Sequence, residues 1–140
     1  MPVTDASAVW NGSIGEGSGT MKMSSWEGQY STPLRFQKEG EGTSPEELLA
    51  AAHAGCFSMQ LSALLTRGGH VPTSIETTAS VDLQKLEDGW AIVAVELTTT
   101  ADVPGIDADA FAEFADKAKD TCPVSKLYAS ASITLNATLK

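Results

Sequence analysis

Two cysteines, two histidines, one arginine in an uncharged setting and a pair of adjacent glutamates are the residues whose types and spacing could carry chemistry in this chain. Cys56 closes the run Ala50-Ala51-Ala52-His53-Ala54-Gly55-Cys56, and Cys122 lies in Lys119-Asp120-Thr121-Cys122-Pro123-Val124-Ser125. A thiol is a nucleophile only as the thiolate, so each sulfur needs a neighbour that favours the anion. Periodicity offers Cys56 no such neighbour. The position is mid-helix, past the first turn where the dipole acts, and a buried core thiol is the competing reading. Cys122 stands before a proline that suits a helix start, where aligned N–H groups would stabilise its thiolate. Equally, it extends the apolar stripe Phe111, Phe114, Ala118 by four residues. In a reducing compartment, two thiols 66 positions apart are a redox pair or two buried thiols, not a structural staple.

The remaining polar candidates carry weaker signals. His53 and Cys56 share one helix face at i, i+3 and could reach one ion. Adding Cys122 and His70 would make a Cys2His2 set, but no spacing among the four matches a zinc pattern; no metal or cofactor is expected. His53 reads as a packed helix residue and His70, after Gly68-Gly69, as an exposed one. Arg35 lies between Leu34 and Phe36, and a lone strand arginine most often just packs its stem on the sheet. Glu46 and Glu47 both fall in a first helical turn, where carboxylates are favoured anyway. A capping box occupies Glu47 and leaves Glu46 free.

These side chains must be positioned by an alternation of short strands and two long helices. Ala6 to Ser13 and Thr20 to Ser25 read as strands joined by a Gly-rich turn over Gly15 to Gly19. Leu34 and Phe36 flank Arg35 and predict a third short extended piece after Pro33. Ser44-Pro45-Glu46-Glu47 supplies a cap, a proline at the first helical position and a glutamate at the third. The helix should run from Pro45 to about Arg67 and stop at Gly68-Gly69. Its small, uncharged middle implies burial on most sides and close approach by another helix. Ile75, Thr77, Ala79, Val81 and Leu83 alternate with polar residues, and Asp88-Gly89 turns into a strand from Trp90 to Ala101 in which Ile92 and Ala94 continue the pattern. Asp107 caps a helix to about Thr121, and Ile133, Leu135, Ala137 and Leu139 alternate in a last strand. The sum is a single α+β domain over residues 1–140. It comprises a β-rich part at 1–43, a central helix at 45–67, two strands within 73–102, a helix at 107–121 and a strand at 132–139, with a largely antiparallel sheet wrapped against helices.

Composition narrows the partners. Nine basic residues against eighteen acidic ones give a net charge of -9, which repels phosphate backbones and anionic lipid, so neither nucleic acid nor membrane is expected. The opening MPVTDASAVW lacks the basic and apolar regions of a secretory signal, and a cytoplasmic protein is expected. Leu48 to Leu65 carries no formal charge, but its Ala, Ser and Gln content fits a core helix better than a membrane span.

GTSPEELLAAAHAGCFSMQLSALL, from Gly42 to Leu65, resembles the signature helix of the OsmC/Ohr family of organic hydroperoxide reductases. Lys119-Asp120-Thr121-Cys122-Pro123-Val124-Ser125 is similar to that family's second cysteine motif. PTSIETTASVDL, the VPGID at Val103 to Asp107 and the ending ITLNATL resemble its OsmC branch, so the likeness covers essentially the whole chain. Ser44 stands where Asn is usual, and Gly55 where Ala is common; neither change removes a functional group.

The resemblance implies a long central helix wrapped by the sheet in an intertwined homodimer, and a peroxidase acting on organic hydroperoxides. It makes Cys56 the peroxidatic thiol, Cys122 the resolving one, Arg35 the group that lowers the Cys56 pKa, and Glu46 the carboxylate that holds Arg35. It also implies an external dithiol reductant, a lipoyl-bearing protein. Phe57, Met59 and the tryptophans are expected to line an apolar pocket. Helix geometry adds that Glu46 and Cys56 differ by about 15 Å along one axis, so Arg35 cannot easily touch both within one chain. Antiparallel packing of two such helices would bring Glu46 of one copy near Cys56 of the other. A thiol-based redox sensor or binding module without sustained turnover is the alternative.

Overall fold

The computed structural model describes residues 2–140, in two compact units that divide at Leu48/Leu49. In the first, strands β1 (Ser7–Asn11), β2 (Ser18–Met23) and β3 (Trp26–Ser31) form an antiparallel sheet in chain order. Gly19 pairs with both Trp10 and Tyr30 in the register. A side chain there would run into the Val9 carbonyl and the Tyr30 ring, so glycine is what lets Tyr30 reach across to Trp10, ring centres 5.4 Å apart.

The third strand therefore lies before Pro33, and the segment after it is not extended. Thr32–Phe36 forms a single-turn helix, α1. The Ser31 side chain accepts the Leu34 N–H at its start, and Pro33 supplies a preset φ in the first turn. Two apolar residues flanking one polar residue were too short a pattern to separate a strand from one helical turn.

Helix α2 (Pro45–Arg67) begins at the Ser44-Pro45 signal and ends at the glycine pair. Ser44 Oγ accepts the Glu47 N–H at 3.2 Å. At the other end the His70 N–H bonds the Leu65 carbonyl while Gly69 takes a φ of 88°, a left-handed stop that suits glycine. By length and composition α2 is apolar enough to cross a membrane, with mean hydropathy 1.5. Here it sends His53, Phe57, Leu61 and Leu65 inward as an i, i+4 stripe. Ala51, Ala52, Gly55 and Met59 remain exposed, so the expected burial on most sides is not met within the second unit.

In the second unit, β4 (Ser74–Leu86) and β5 (Gly89–Asp102) form a long antiparallel hairpin, and β6 (Ser132–Leu139) adds parallel to β5. The crossover to β6 is made by α3 (Ala108–Thr121) and α4 (Pro123–Leu127). The alternation in β4 follows the sequence pattern. In β5 it changes phase, because Ile92 pairs with Leu83 and Ala94 with Asp82, leaving Val93 as an extra residue. Past this bulge the buried positions become Val95, Leu97, Thr99 and Ala101. The core joins Phe57, Leu61 and Leu65 of α2 to Leu97 and Ala101 of β5 and to Phe111, Ala115, Ala118 and Cys122. Buried Thr99 is satisfied by Thr77, which also accepts from Ser58 of α2.

Candidate functional site

Arg35 and Glu46 meet within the first unit. Arg35 Nε lies 3.1 Å from each carboxylate oxygen of Glu46, and its Nη2 lies 2.6 Å from Oε1. The guanidinium also sits 5.3 Å from the centre of the Phe36 ring. Such a two-oxygen grip fixes the orientation of the guanidinium as well as its charge. Glu46 is available because Glu47 is engaged elsewhere: its Oε2 accepts the Thr43 hydroxyl at 2.7 Å. The capping box is thus half formed, with Glu47 turned to Thr43 and not back to the Ser44 N–H.

Cys56 and Cys122 meet within the second unit. Both are free thiols, Cys56 half-buried and Cys122 fully buried, and they lie close enough that the Cys122 thiol acts on Cys56. Cys122 is at once the C-cap of α3 and the N-cap of α4. Its N–H bonds the Ala118 carbonyl at 2.9 Å and its carbonyl accepts the Lys126 N–H at 3.1 Å. It therefore both continues the Phe111/Ala115/Ala118 stripe and precedes a helix start. The N–H help, however, goes to the other sulfur. The Val124 N–H, in the first turn of α4 where amides lack an intrahelical acceptor, bonds Cys56 and favours its thiolate. Burial acts the opposite way and is the larger influence, followed by the Cys122 thiol, so the Cys56 pKa is pushed up.

Polar contacts flank the two sulfurs along α2. His53 is wholly buried, with Nε2 2.8 Å from the Ser125 hydroxyl and its ring edge-on to Tyr128 at 5.2 Å. Burial lowers its pKa, keeping the imidazole neutral. Its Nδ1 is buried without a hydrogen-bond partner. On the far side of Cys56, Gln60 Nε2 donates to Thr121 Oγ1 at 2.8 Å. At the near end Tyr128 Oη donates to the Leu49 carbonyl at 3.3 Å. Sequence reasoning took His53 for a packed residue and missed Ser125, Val124, Gln60 and Thr121. Only the nearness of Thr121, Val124 and Ser125 to Cys122 could have drawn notice. His70 is not fully exposed as expected but lies edge-on to Phe114, ring centres 6.2 Å apart.

With Nε2 of His53 on Ser125, the Cys2His2 alternative is not assembled. Among the described residues no group of three or more His, Cys, Asp or Glu is placed to hold a metal ion. Of the residues expected to line a pocket, Phe57 is in the core, Met59 is 76% exposed, and Trp26 and Trp90 are exposed. A pocket of about 130 Å³ is instead lined by Leu49, Val81, Ile92, Val95, Leu127 and Tyr128, among others.

Two thiols in contact across a helix junction define a dithiol site on an α+β scaffold. The sequence profile of the family described as OsmC-like protein matches residues 38–137, and the chain belongs to that family. It is 47% identical over 136 residues to the peroxiredoxin OsmC of Escherichia coli strain K12, which covers 95% of this chain and 94% of that protein. It is 32% identical over 112 residues to the organic hydroperoxide resistance protein of Xanthomonas axonopodis pv. citri strain 306, covering 79% and 77%. Two solved structures share the fold. An OsmC-like protein from Mycoplasma pneumoniae has a TM-score of 0.79 at 17% identity, covering 99% of this chain and 97% of the other. The organic hydroperoxide resistance protein OhrB of Bacillus subtilis has a TM-score of 0.69 at 22% identity, covering 97% and 98%.

Proposed function

We propose that the chain is a thiol peroxidase that reduces organic hydroperoxides to alcohols, with Cys56 attacking the peroxide and Cys122 resolving the product. The observation that carries this reading is the nearness of two thiols 66 positions apart in the sequence, close enough that Cys122 acts on the Cys56 pKa. The names of the relatives in Escherichia coli and Xanthomonas supply the substrate class. The Cys56 thiolate attacks one oxygen of ROOH. The O–O bond breaks, ROH leaves with a proton, and the sulfur becomes a sulfenic acid. The Cys122 sulfur then displaces the hydroxyl as water, giving a Cys56–Cys122 disulfide that two thiols of an external reductant reopen. A lipoyl-type dithiol is the proposed donor, and a reducing, cytoplasmic setting is proposed with it.

The rise in the Cys56 pKa from burial and Cys122 must be offset for this chemistry to run near neutral pH. Arg35, oriented by Glu46, is the proposed cation, lowering the thiol pKa and donating to a peroxide oxygen. The proposed active form is a homodimer in which α2 packs against its copy, so that two chains complete each site. The exposed Ala51, Ala52, Gly55 and Met59 side of α2 supports such packing, since small residues let helix axes approach.

The test is steady-state turnover of an organic hydroperoxide with dihydrolipoamide, comparing wild type with Cys56→Ser and Cys122→Ser and reading intact mass under substrate. Cys56→Ser should be inactive, and Cys122→Ser should accumulate an oxidised or mixed-disulfide Cys56. Equal activity in all three proteins would end the proposal. Disulfide formation without sustained turnover would leave a redox sensor.

A further inference from the structure

The contacts that flank the sulfurs have a common register. Reading along α2, the pairs are Leu49 with Tyr128, His53 with Ser125, Cys56 with Cys122, and Gln60 with Thr121. Each step of three or four residues on α2 answers to a step down the α3–α4 junction. The thiol pair is one rung of this ladder, and the neighbouring rungs decide how closely the other two backbones are held. Of those, His53 with Ser125 is the most enclosed: His53 is 0% exposed and Ser125 5%.

Histidine is a costly choice for that place. An apolar side chain of similar volume would pack in the same stripe as Phe57 and Leu61 with no ring nitrogen left unpaired. The imidazole instead leaves Nδ1 buried without a partner, a type of defect that native interiors avoid. The cost is smaller if the buried orphan is a bare lone pair than if it is an N–H, so the proton belongs on Nε2, donated to Ser125 Oγ. A polar residue retained at a cost, on a helix face that apolar residues otherwise fill, marks a place where local rules yield to function. Its effect falls on the turn Cys122–Ser125, which carries both the second thiol and the Val124 N–H directed at Cys56.

We propose that His53 is a positioning residue for disulfide closure: through Ser125 it holds the Cys122 turn in register with Cys56. This rests on the peroxidase reading for the origin of the oxidised sulfur, but not for the register itself. In the closing step the Cys122 sulfur bonds the Cys56 sulfur, the S–O bond of the sulfenic acid breaks, and hydroxide leaves as water with the thiol proton. The two sulfurs must pass from non-bonded proximity to a bond of about 2.05 Å with a narrow range of dihedral angle. A turn anchored on either side of Cys122 keeps the approach aligned, which is where the rate advantage of an intramolecular reaction lies.

The experiment measures two quantities on reduced wild type, His53→Leu, His53→Gln and Ser125→Ala, each checked by circular dichroism. The first is single-turnover kinetics with cumene hydroperoxide, quenched with dimedone and read by mass, which separates sulfenic acid formation from disulfide closure. The second is the equilibrium of the Cys56–Cys122 disulfide in dithiothreitol redox buffers, which involves no peroxide. In His53→Leu and Ser125→Ala, closure should slow at least tenfold relative to sulfenic acid formation. The disulfide should also become easier to reduce by about tenfold in its equilibrium constant, equivalent to about 30 mV. His53→Gln, whose amide can still donate to Ser125, should recover most of both. Unchanged closure and an unchanged equilibrium in both His53→Leu and Ser125→Ala overturn the proposal. If wild type forms no sulfenic acid yet the equilibrium shifts among the variants as described, the peroxidase reading fails and the positioning role stands.

Discussion

Arg35→Met isolates the electrostatic half of the proposed mechanism. Within its own unit the Cys56 thiol is held protonated by burial and by the Cys122 thiol, against one N–H that favours the anion, and its pKa lies above the ordinary 9.0. A thiol titrating at 9 is about 1% ionised at pH 7, and one titrating higher is ionised still less. A guanidinium within about 4–6 Å lowers such a pKa by about 1–3 units. At neutral pH that is a roughly ten- to several-hundredfold gain in thiolate when the pKa stays above 7, and less once the thiol is mostly ionised. Replacing Arg35 should therefore cost about tenfold to several-hundredfold in Cys56 reactivity at pH 7. The deficit should be full below the wild-type pKa and close as pH rises through that of the variant. Alkylation of Cys56 by iodoacetamide between about pH 5 and 10, in a Cys122→Ser background and read by intact mass, reports ionisation without any peroxide chemistry. Superimposable profiles for wild type and Arg35→Met would refute the assignment of Arg35 as the activating cation, whatever happened to turnover.

Two further expectations follow from individual side chains. A Cβ at Gly55 meets nothing within 4 Å, so Gly55→Leu should leave the folded chain unharmed and favour α2 by about 0.5–1 kcal/mol. On a helix–helix interface the same side chain separates the axes. Light scattering should then show a shift toward monomer, and an unaltered dimer would exclude this face as the interface. His53 is buried with its pKa lowered below 6.5, so below that pH the unfolded chain binds a proton that the native state refuses. Stability should fall with acid by up to about 1.4 kcal/mol per pH unit, from about pH 6.5 down to the lowered native pKa, with no such loss above it. Urea midpoints at about pH 7 and 5.5 should differ more for wild type than for His53→Gln, and equal differences would count against a neutral buried imidazole.

Legibility varied with the range of the interaction. The ends of α2 could be read because Ser44-Pro45 and Gly68-Gly69 act on their own neighbours, and the β4 alternation because period two survives over a long strand. The segment around Arg35 was misread because a cap on Ser31 decided it, and three alternating residues cannot outweigh a cap. The phase change in β5 was invisible because the bulge at Val93 is set by pairing with β4. Periodicity left the chemical role of Cys56 open, and only the likeness of two cysteine motifs to a known family brought it together with Cys122. The Val124 N–H and the Ser125 contact depend on how α2 meets α4, which no local pattern encodes. The exposed side of α2 was expected to be covered, and within its own unit it is not. The charge-free run at Leu48 to Leu65 predicts burial without saying by what.

The unequal exposure of the two sulfurs bears on their roles independently of any family likeness. Cys122 is at 0% exposure in the core cluster while Cys56 is half-buried beside it. A peroxide arriving from solvent meets Cys56 first. A sulfur already in the core reaches its target without a solvent-exposed excursion. The reverse assignment would require the core to open before the first chemical step, breaking contacts with Phe111, Ala115 and Ala118. Burial of Cys122 also shields it from direct oxidation, so in the proposed cycle the oxidised species that forms first is the one its partner can trap before further oxidation to the irreversible sulfinic and sulfonic states. The upward push on the Cys56 pKa is the cost of placing the proposed reactive thiol against that apolar wall. A cation must offset it, which is why the electrostatic test on Arg35 and the kinetic test on His53 probe separate halves of the same proposed cycle.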